Sequence, residues 1–536
     1  MDHQAPPGPG SSTRPHVEPG ETARAAGRGG VAVLGAKLFF LAVGFVQQPL
    51  LRRAVGLTDF GALAQALIVA NTVNNVVIST GTQGVSRAVA GARGHEEHAF
   101  RAALRVHFPL ALGIAALVLA ATPLYAGFER ADDVVAPLVV LAGVALCYGV
   151  YAPLIGYLNG RNRFTRQAAL DVTFATLRTL GLVGVGYAFV HRGGSGVLGT
   201  TVGWVAAAVL IVPLALRSTG LGAPLPAGEP RPTSVPSSRA YLAVLGPIAG
   251  AQLCTNLLMQ IDIALLGRFL SQPAGGVGSP EVGRDAVKAL VAIYKECQTF
   301  AFLPYQLLFS VTLILFPMLA RARAEQDQDA VRAYVARGAR LAAIFCGLLV
   351  GVVVVLPESL LAFAYGAADA ARGADVLRTM ALAQGAFAML SIATTVLTSL
   401  GSERSAALLT LGAVVAVAAA CTMLVPGAEP GHLQLLRTAQ ASGAALAATL
   451  VVAGGIVRAR TGAFVAASTA LRTGAALGAC LALGFLVPRL GRLVTPFAAI
   501  AVAGVYVGIL IVTGELGRAD LAAIRAIGGR RTRRAA

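Results

Sequence analysis

Apolar runs of about 20 residues, parted by short polar gaps, recur along the whole chain. They fall near residues 31–51, 59–82, 104–126, 134–158, 169–190, 197–216, 241–266, 288–318, 338–357, 375–400, 405–426, 434–457, 467–488 and 496–513. Each is long enough to cross a bilayer core as a helix. The pattern predicts an all-α membrane protein with about fourteen transmembrane helices. The second and eighth runs are the most polar.

The runs also repeat. Ala-Val-Leu-Gly opens the first (32–35) and again the seventh (243–246). The second and eighth each lead into a charged segment, at 86–104 and 320–341. The fourth ends in YLNGRNRF (157–164) and the tenth in SLGSERSA (399–406). Three matches in one order predict two pseudo-symmetric six-helix bundles around a central cavity, followed by two unrepeated helices. The organisation expected is a disordered cytoplasmic tail (1–30), a first bundle (31–216) and a Pro-rich cytoplasmic linker (217–240). A second bundle (241–457), helices 13 and 14 (458–513) and a basic cytoplasmic tail (514–536) follow.

Composition agrees with lipid as the solvent. The chain is 56% hydrophobic and 13% charged over 536 residues. Its mean hydropathy is +0.72. Soluble domains carry about 25% charge. The +18 net charge is one mark of nucleic-acid binding, but no soluble domain is there to carry it, and no nucleic-acid partner is expected. The positive-inside rule explains it better. With the N-terminus inside, roughly 27 Lys/Arg fall in cytoplasmic segments and about 10 in external ones. Both termini are therefore expected in the cytoplasm of an inner-membrane protein, with the run Arg530, Arg531, Arg533, Arg534 facing anionic lipid. No cleavable signal peptide is expected.

Charges inside spans are costly and tend to face a cavity or a partner. Gln252, Thr255, Asn256, Met259 and Asp262 recur at spacings of three and four, which reads as one polar face of the seventh helix. Asn71, Asn74, Asn75 and Ser79 form a similar stripe on the second. Asp171 and Arg178 share a face of the fifth helix, where they either line the cavity or pair with neighbours. Lys37 either snorkels to the interface or offers positive charge to an anionic head-group. Lys295 and Glu296 are adjacent, so they point apart, and Arg378 lies near the start of the tenth span. Arg52 and Arg53 stand at the external mouth of the first span, against the charge bias; guiding an anion would explain them, and so would a solvated loop end.

Enzyme motifs are scarce, and no catalytic residue is expected. His95-Glu96-Glu97-His98 is not His-Glu-x-x-His, and no Cys-x-x-Cys pair occurs, so no metal site is expected. The absence of a Walker A sequence argues against direct ATP drive.

The local wording resembles the MOP flippase superfamily in its polysaccharide-transport branch. The residues are LRRAVGLTDFGALAQA (51–66), IDIALLGRFL (261–270), VAIYKECQTFAF (291–302) and VTLILFPMLARA (311–322). The resemblance implies a carrier that turns a polyprenyl-diphosphate-linked oligosaccharide from the cytoplasmic to the external leaflet by alternating access. It implies a cavity lined by Lys37, Asn71, Asn74, Asn75, Arg178, Gln252, Asn256, Lys295 and Arg378. Helices 13 and 14 would serve the lipid tail. Asp262, with Asp171 second, would carry proton or sodium coupling; no other cofactor is implied. Expected partners are the lipid-linked oligosaccharide, membrane lipids and the polymerase or export proteins of the same process. Three alternatives remain open: a lipid II flippase, a drug/cation antiporter of the same superfamily, and a membrane polysaccharide polymerase. The sparse basic content of the first span disfavours lipid II, and the short external loops disfavour a polymerase.

Overall fold

The computed structural model describes residues 19–92, 94–221, 232, 234–272 and 283–517. Regular structure among them is entirely helical: α1 (Pro19–Val55), α2 (Leu57–Gly91), α3 (Glu96–Glu129), α4 (Val135–Gly160), α5 (Phe164–Leu180), α6 (Gly186–His191), α7 (Gly196–Thr219), α8 (Ser238–Leu258), α9 (Ile261–Leu270), α10 (Arg284–Ala301), α11 (Leu303–Ala324), α12 (Gln328–Val355), α13 (Pro357–Ala364), α14 (Ala367–Ser399), α15 (Glu403–Leu424), α16 (His432–Thr461), α17 (Ala467–Leu486) and α18 (Thr495–Val512). Thirteen spans among the described residues are long and apolar enough to cross a membrane. The chain is a multi-pass membrane protein.

The fourteenth expected span, the eighth in order, is the pair α10–α11, which breaks at Phe302. Pro304 opens α11; it lacks an N–H and its ring crowds the carbonyl four residues back, which interrupts a helix there. The seventh span breaks too, at Met259–Gln260 between α8 and α9. The fifth runs from α5 to α6 through one wider π turn, Gly181–Val185. There a Cβ on Gly181 would lie 2.3 Å from the Gly203 carbonyl, so only glycine lets these two backbones touch.

The two halves pack alike. In the first, α2, α3 and α7 pack on α4, and α1 packs on α5. In the second, α10 with α11, α12 and α16 pack on α14, and α8 with α9 packs on α15. These are the same span pairs six positions on. Each half carries a large buried apolar cluster. A third, small cluster joins α17 and α18 to α12 and sets the last two helices outside the repeat.

One boundary is corrected. Helix begins at Pro19, so residues 19–30 are not the disordered tail expected of 1–30; the composition of Glu-Thr-Ala-Arg-Ala-Ala favours helix. Residues 1–18, most of the linker 217–240, and the tail from 518 with its arginine run lie outside the described residues.

Candidate functional site: the seam between the halves

The halves meet along α1, α2, α8, α9 and α10. The end of this seam that carries Arg52 is the Arg52 face; the opposite end lies on the side of the protein that carries the Arg340–Glu515 pair, the Arg340 face.

At the Arg52 face the seam is shut. Arg52 ends α1 and donates from Nε to Glu296 Oε1 of α10 (3.0 Å) and from Nη2 to Asp369 Oδ2 of α14 (2.7 Å). Its neighbour Arg53 donates to the Ala364 carbonyl (3.0 Å). A guanidinium presents several donors in a rigid fork, so one side chain can hold two carboxylates at once. The Glu296 side chain is only 1% exposed, so these contacts are shielded from solvent. Lys288 of α10 adds an ion pair to Asp133 of the first half (2.7 Å). Arg268 and Arg130 donate across the seam to the carbonyls of Phe128 and Ser271. Backbones also touch. A Cβ on Gly61 would lie 1.9 Å from the Lys288 carbonyl oxygen.

Midway along the seam, Asn75 Nδ2 donates to Asn256 Oδ1 (2.8 Å), and Asn256 Nδ2 in turn donates to the Gln252 carbonyl. Asn75 remains exposed despite that bond, and Asn256 is buried. Towards the Arg340 face, His107 and Tyr241 hydrogen bond (2.8 Å), and Gly84 of α2 lies against Leu245 of α8. The counterpart contact is slighter: α1 meets α10 through Arg52–Glu296 and the Phe45–Phe300 ring pair (5.2 Å).

A family model described as "Polysaccharide biosynthesis protein" matches residues 26–323, more than half of the chain. The chain belongs to that family. No curated protein sequence matches it. Among solved structures, it resembles "Lipid II flippase MurJ, inward closed conformation" with a TM-score of 0.69 at 12% identity, over 91% of this chain and 99% of that one. It also resembles the inward-facing form of a multidrug resistance MATE transporter of the MOP superfamily, at TM-score 0.61 and 15% identity, over 81% and 98%. An outward-facing MATE structure follows at 0.59 and 14%, over 80% and 95%. At these identities the likeness shows the fold, which is that of the MOP transporters.

Apart from Arg378, the predicted site residues of this polysaccharide biosynthesis family member divide into three groups. Asn75 and Asn256 come together on the seam, and Gln252 joins them only through its backbone carbonyl, one turn along α8. Asn71 lies on the same helix, and Asn74 is buried with both amide atoms lacking a partner. The second group lies between α1 and α5 within the first half. Lys37 pairs with Asp171 (3.1 Å), and the Arg178 guanidinium stacks on Phe40 (4.8 Å). The third group centres on Asp262. The break at Gln260 ends the polar face, so Asp262 leaves the Gln252–Asn256 stripe and turns into the second half. It accepts from Tyr294 (2.8 Å) and from Gln298 (3.3 Å), whose amide oxygen accepts from Lys295 (3.1 Å). Lys295 and Asp262 are thus joined through Gln298.

Arg378 is away from the seam. Its guanidinium donates to the carbonyls of Val354 and Gly484 and stacks on Phe485, tying α14 to α12 and α17. These contacts hold the three helices together. Sequence reasoning missed the roles of Arg52, Glu296, Asp369, Tyr294 and Gln298. The one legible signal was that Arg52 stood against the charge bias.

Proposed function

We propose that this protein turns a polyprenyl-diphosphate-linked oligosaccharide from the cytoplasmic to the external leaflet by alternating access of its two halves. The Arg52 face is external in this reading, both termini are cytoplasmic, and the protein does no catalysis. The observation that carries it is the Arg52 cluster. Two matching six-helix bundles are held shut at one face by ionic contacts that water can replace once the halves part. Membership of the polysaccharide biosynthesis family supports the choice of cargo.

The head-group would sit between the halves, against the Asn75–Asn256 pair and the partly exposed Lys37. Amides can hydrogen bond sugars, and a cation offsets a diphosphate. Asp262, buried in its Tyr294–Gln298–Lys295 network, is the residue assigned to proton or sodium coupling. The unrepeated α17 and α18 would border the lipid tail.

The test is a deletion strain together with reconstituted protein. Lipid-linked repeat units should accumulate on the cytoplasmic face of the strain. In proteoliposomes a fluorescent polyprenyl-diphosphate oligosaccharide should become accessible in the far leaflet, while lipid II does not. Equal or faster movement of lipid II would replace the cargo named here. Drug efflux with neither lipid moved would move the protein to the antiporters.

A further inference from the structure

Beneath the Arg52 cluster lies a carboxylate that the reading above does not use. Glu129 ends α3, and its residue is 0% exposed. It is capped by the other half: a Cβ on Gly267 of α9 would lie 2.2 Å from Glu129 Oε2. The burial of Glu129 therefore includes the closed seam. Within the first half, Gln65 Nε2 donates to Oε2 (3.0 Å), and the Tyr125 hydroxyl also lies beside the carboxylate.

The charged and titratable groups around it all have other partners, and of these Tyr125 and Arg268 also act on the carboxylate. From its own helix, Tyr125 donates to the Gln65 carbonyl (2.9 Å). From α9, Arg268 donates to the Phe128 carbonyl and stacks on its ring. From the turn after α3, Arg130 bonds the Ser271 carbonyl, Asp132 pairs with Arg284, and Asp133 pairs with Lys288. Lys288 also lies near Asp285 of its own helix. Among the described residues no cation forms an ion pair with Glu129; the charge of Arg268 reaches it from a greater distance.

Two oxygens remain without a partner there, Glu129 Oε1 and Gln65 Oε1, on the two side chains already joined through Nε2 and Oε2. Both are acceptors, so neither can satisfy the other while Glu129 is ionised. A single proton on Glu129 gives the acid the donor it lacks, and a neutral acid and a primary amide have matching donor and acceptor sets. Burial of an ionised carboxylate without a cation is disfavoured, and such a group takes up a proton instead. The way to solvent is short. Gln65 and Glu129 line a cavity of about 220 Å³ at the Arg52 face, beside Arg130, Asp133, Ser271 and Lys288.

We infer that Glu129 is a proton-binding site whose occupancy is tied to the seam: the protonated acid is buried when the Arg52 face closes, and the proton leaves to the external medium when it opens. This inference rests on the alternating-access reading. It adds an exchange site at the seam, separate from Asp262 inside the second half. Closure takes a proton from the medium onto a Glu129 oxygen, and opening returns it; no other bond changes.

The experiment uses the full chain in nanodiscs with spin labels at Asp132→Cys and Arg284→Cys, which face each other across the seam, and with the native Cys147 and Cys254 changed to serine. Pulsed distance measurements between about pH 5 and about pH 9 should show the open population rising with pH, by roughly tenfold per pH unit on the closed side of the midpoint for one linked proton. Glu129→Gln should keep the seam closed at every pH. Glu129→Asp should keep a pH response, which separates loss of titration from loss of folding. An unchanged titration in Glu129→Gln overturns the inference. So does a flat wild-type response in protein whose seam opens on Arg52→Gln, while alternating access then stands. A seam that opens under neither change overturns both.

Discussion

Arg52 and Asp369 lie 317 residues apart in the chain and 2.7 Å apart in space. One ends the first span of the first half, and the other lies in the first turn of α14 in the second. Between them they tie the halves at one face, with Glu296 completing the cluster. One guanidinium serves two carboxyl groups, so the arrangement depends on Arg52 staying in place.

Arg52→Gln therefore strands two carboxylates beside each other. Breaking a buried pair by removing one partner costs about 3–5 kcal/mol. About 5.5 kcal/mol turns a 99:1 preference into 1:99, so this loss alone shifts most of such a population. A cysteine introduced by Ala364→Cys should react with an impermeant maleimide at least tenfold faster in the Arg52→Gln background. Adding Glu296→Gln should restore part of the protection. A labelling rate that Arg52→Gln leaves unchanged would show that the cluster does not hold the seam.

Span count and repeat were legible in the apolar pattern because lipid demands a run of about 20 residues per crossing. Span ends were less so: α2 runs on to Gly91 and α3 begins at Glu96, since helix continues through charged turns beyond the bilayer core. The break before α11 was readable from Pro304. The break at Gln260 was not, as neither proline nor glycine marks it. That break is why Asp262 leaves the stripe on which a continuous helix would put it. Contacts such as Arg52–Glu296 and Gln65–Glu129 depend on how helices far apart in sequence meet, and helical periodicity carries no information about that. Glu129 in particular reads as a loop charge until Gly267 is seen against it.

Lys37 and Asp171 separate pairing from head-group binding. The pair joins α1 to α5 at 3.1 Å, and the lysine side chain is 46% exposed, so its contribution to stability is small, within about 1 kcal/mol. The exchange Lys37→Asp with Asp171→Lys keeps the pair but moves the cation from α1 to α5. Expression and thermal stability should match the wild type, while oligosaccharide flipping in proteoliposomes falls at least tenfold. Full flipping in the exchanged protein would reduce Lys37 to a helix contact.

Glu515 makes the attachment of the last two helices sensitive to acid. Its carboxylate accepts from Arg340 of α12 (2.8 Å), and from Thr469 (2.8 Å) and Arg472 (3.2 Å) of α17. Burial pushes its pKa up, but the hydrogen bonds from Arg340, Thr469 and Arg472 outweigh it and leave the group below its ordinary value of 4.5. A lowered folded pKa means that the stabilisation is complete above the ordinary value and is lost as pH falls through the lowered one. Hydrogen bonds to charged groups are worth about 1.5–3 kcal/mol. Glu515→Gln should therefore lower the melting temperature at neutral pH, and the gap from wild type should shrink below about pH 4. A gap independent of pH would show that the carboxylate charge is not what holds α17 and α18.

Gly61 tests the closed seam without touching a charge. Its Cα lies where any side chain would run into the Lys288 carbonyl, 1.9 Å from an ideal Cβ, and that carbonyl is backbone of the opposite half. Nothing flexible is there to move aside, so one methyl group must be met by parting the halves. The same methyl costs a helix nothing; alanine in a helix interior is favoured over glycine by about 1 kcal/mol. The first half should therefore fold with Gly61→Ala at least as well as with glycine. What changes is the relation of the two halves. Gly61→Ala should hold the Arg52 face apart, raise maleimide labelling at Ala364→Cys, and cut flipping at least tenfold while leaving yield and melting temperature near the wild type. Gly156→Ala is the control. Its Cβ would lie 2.8 Å from the Thr82 carbonyl within the first half, so it should lower stability and leave the labelling at the Arg52 face unchanged. Should Gly61→Ala label and flip as the wild type does, the close approach of Gly61 to Lys288 would have no part in the transport cycle.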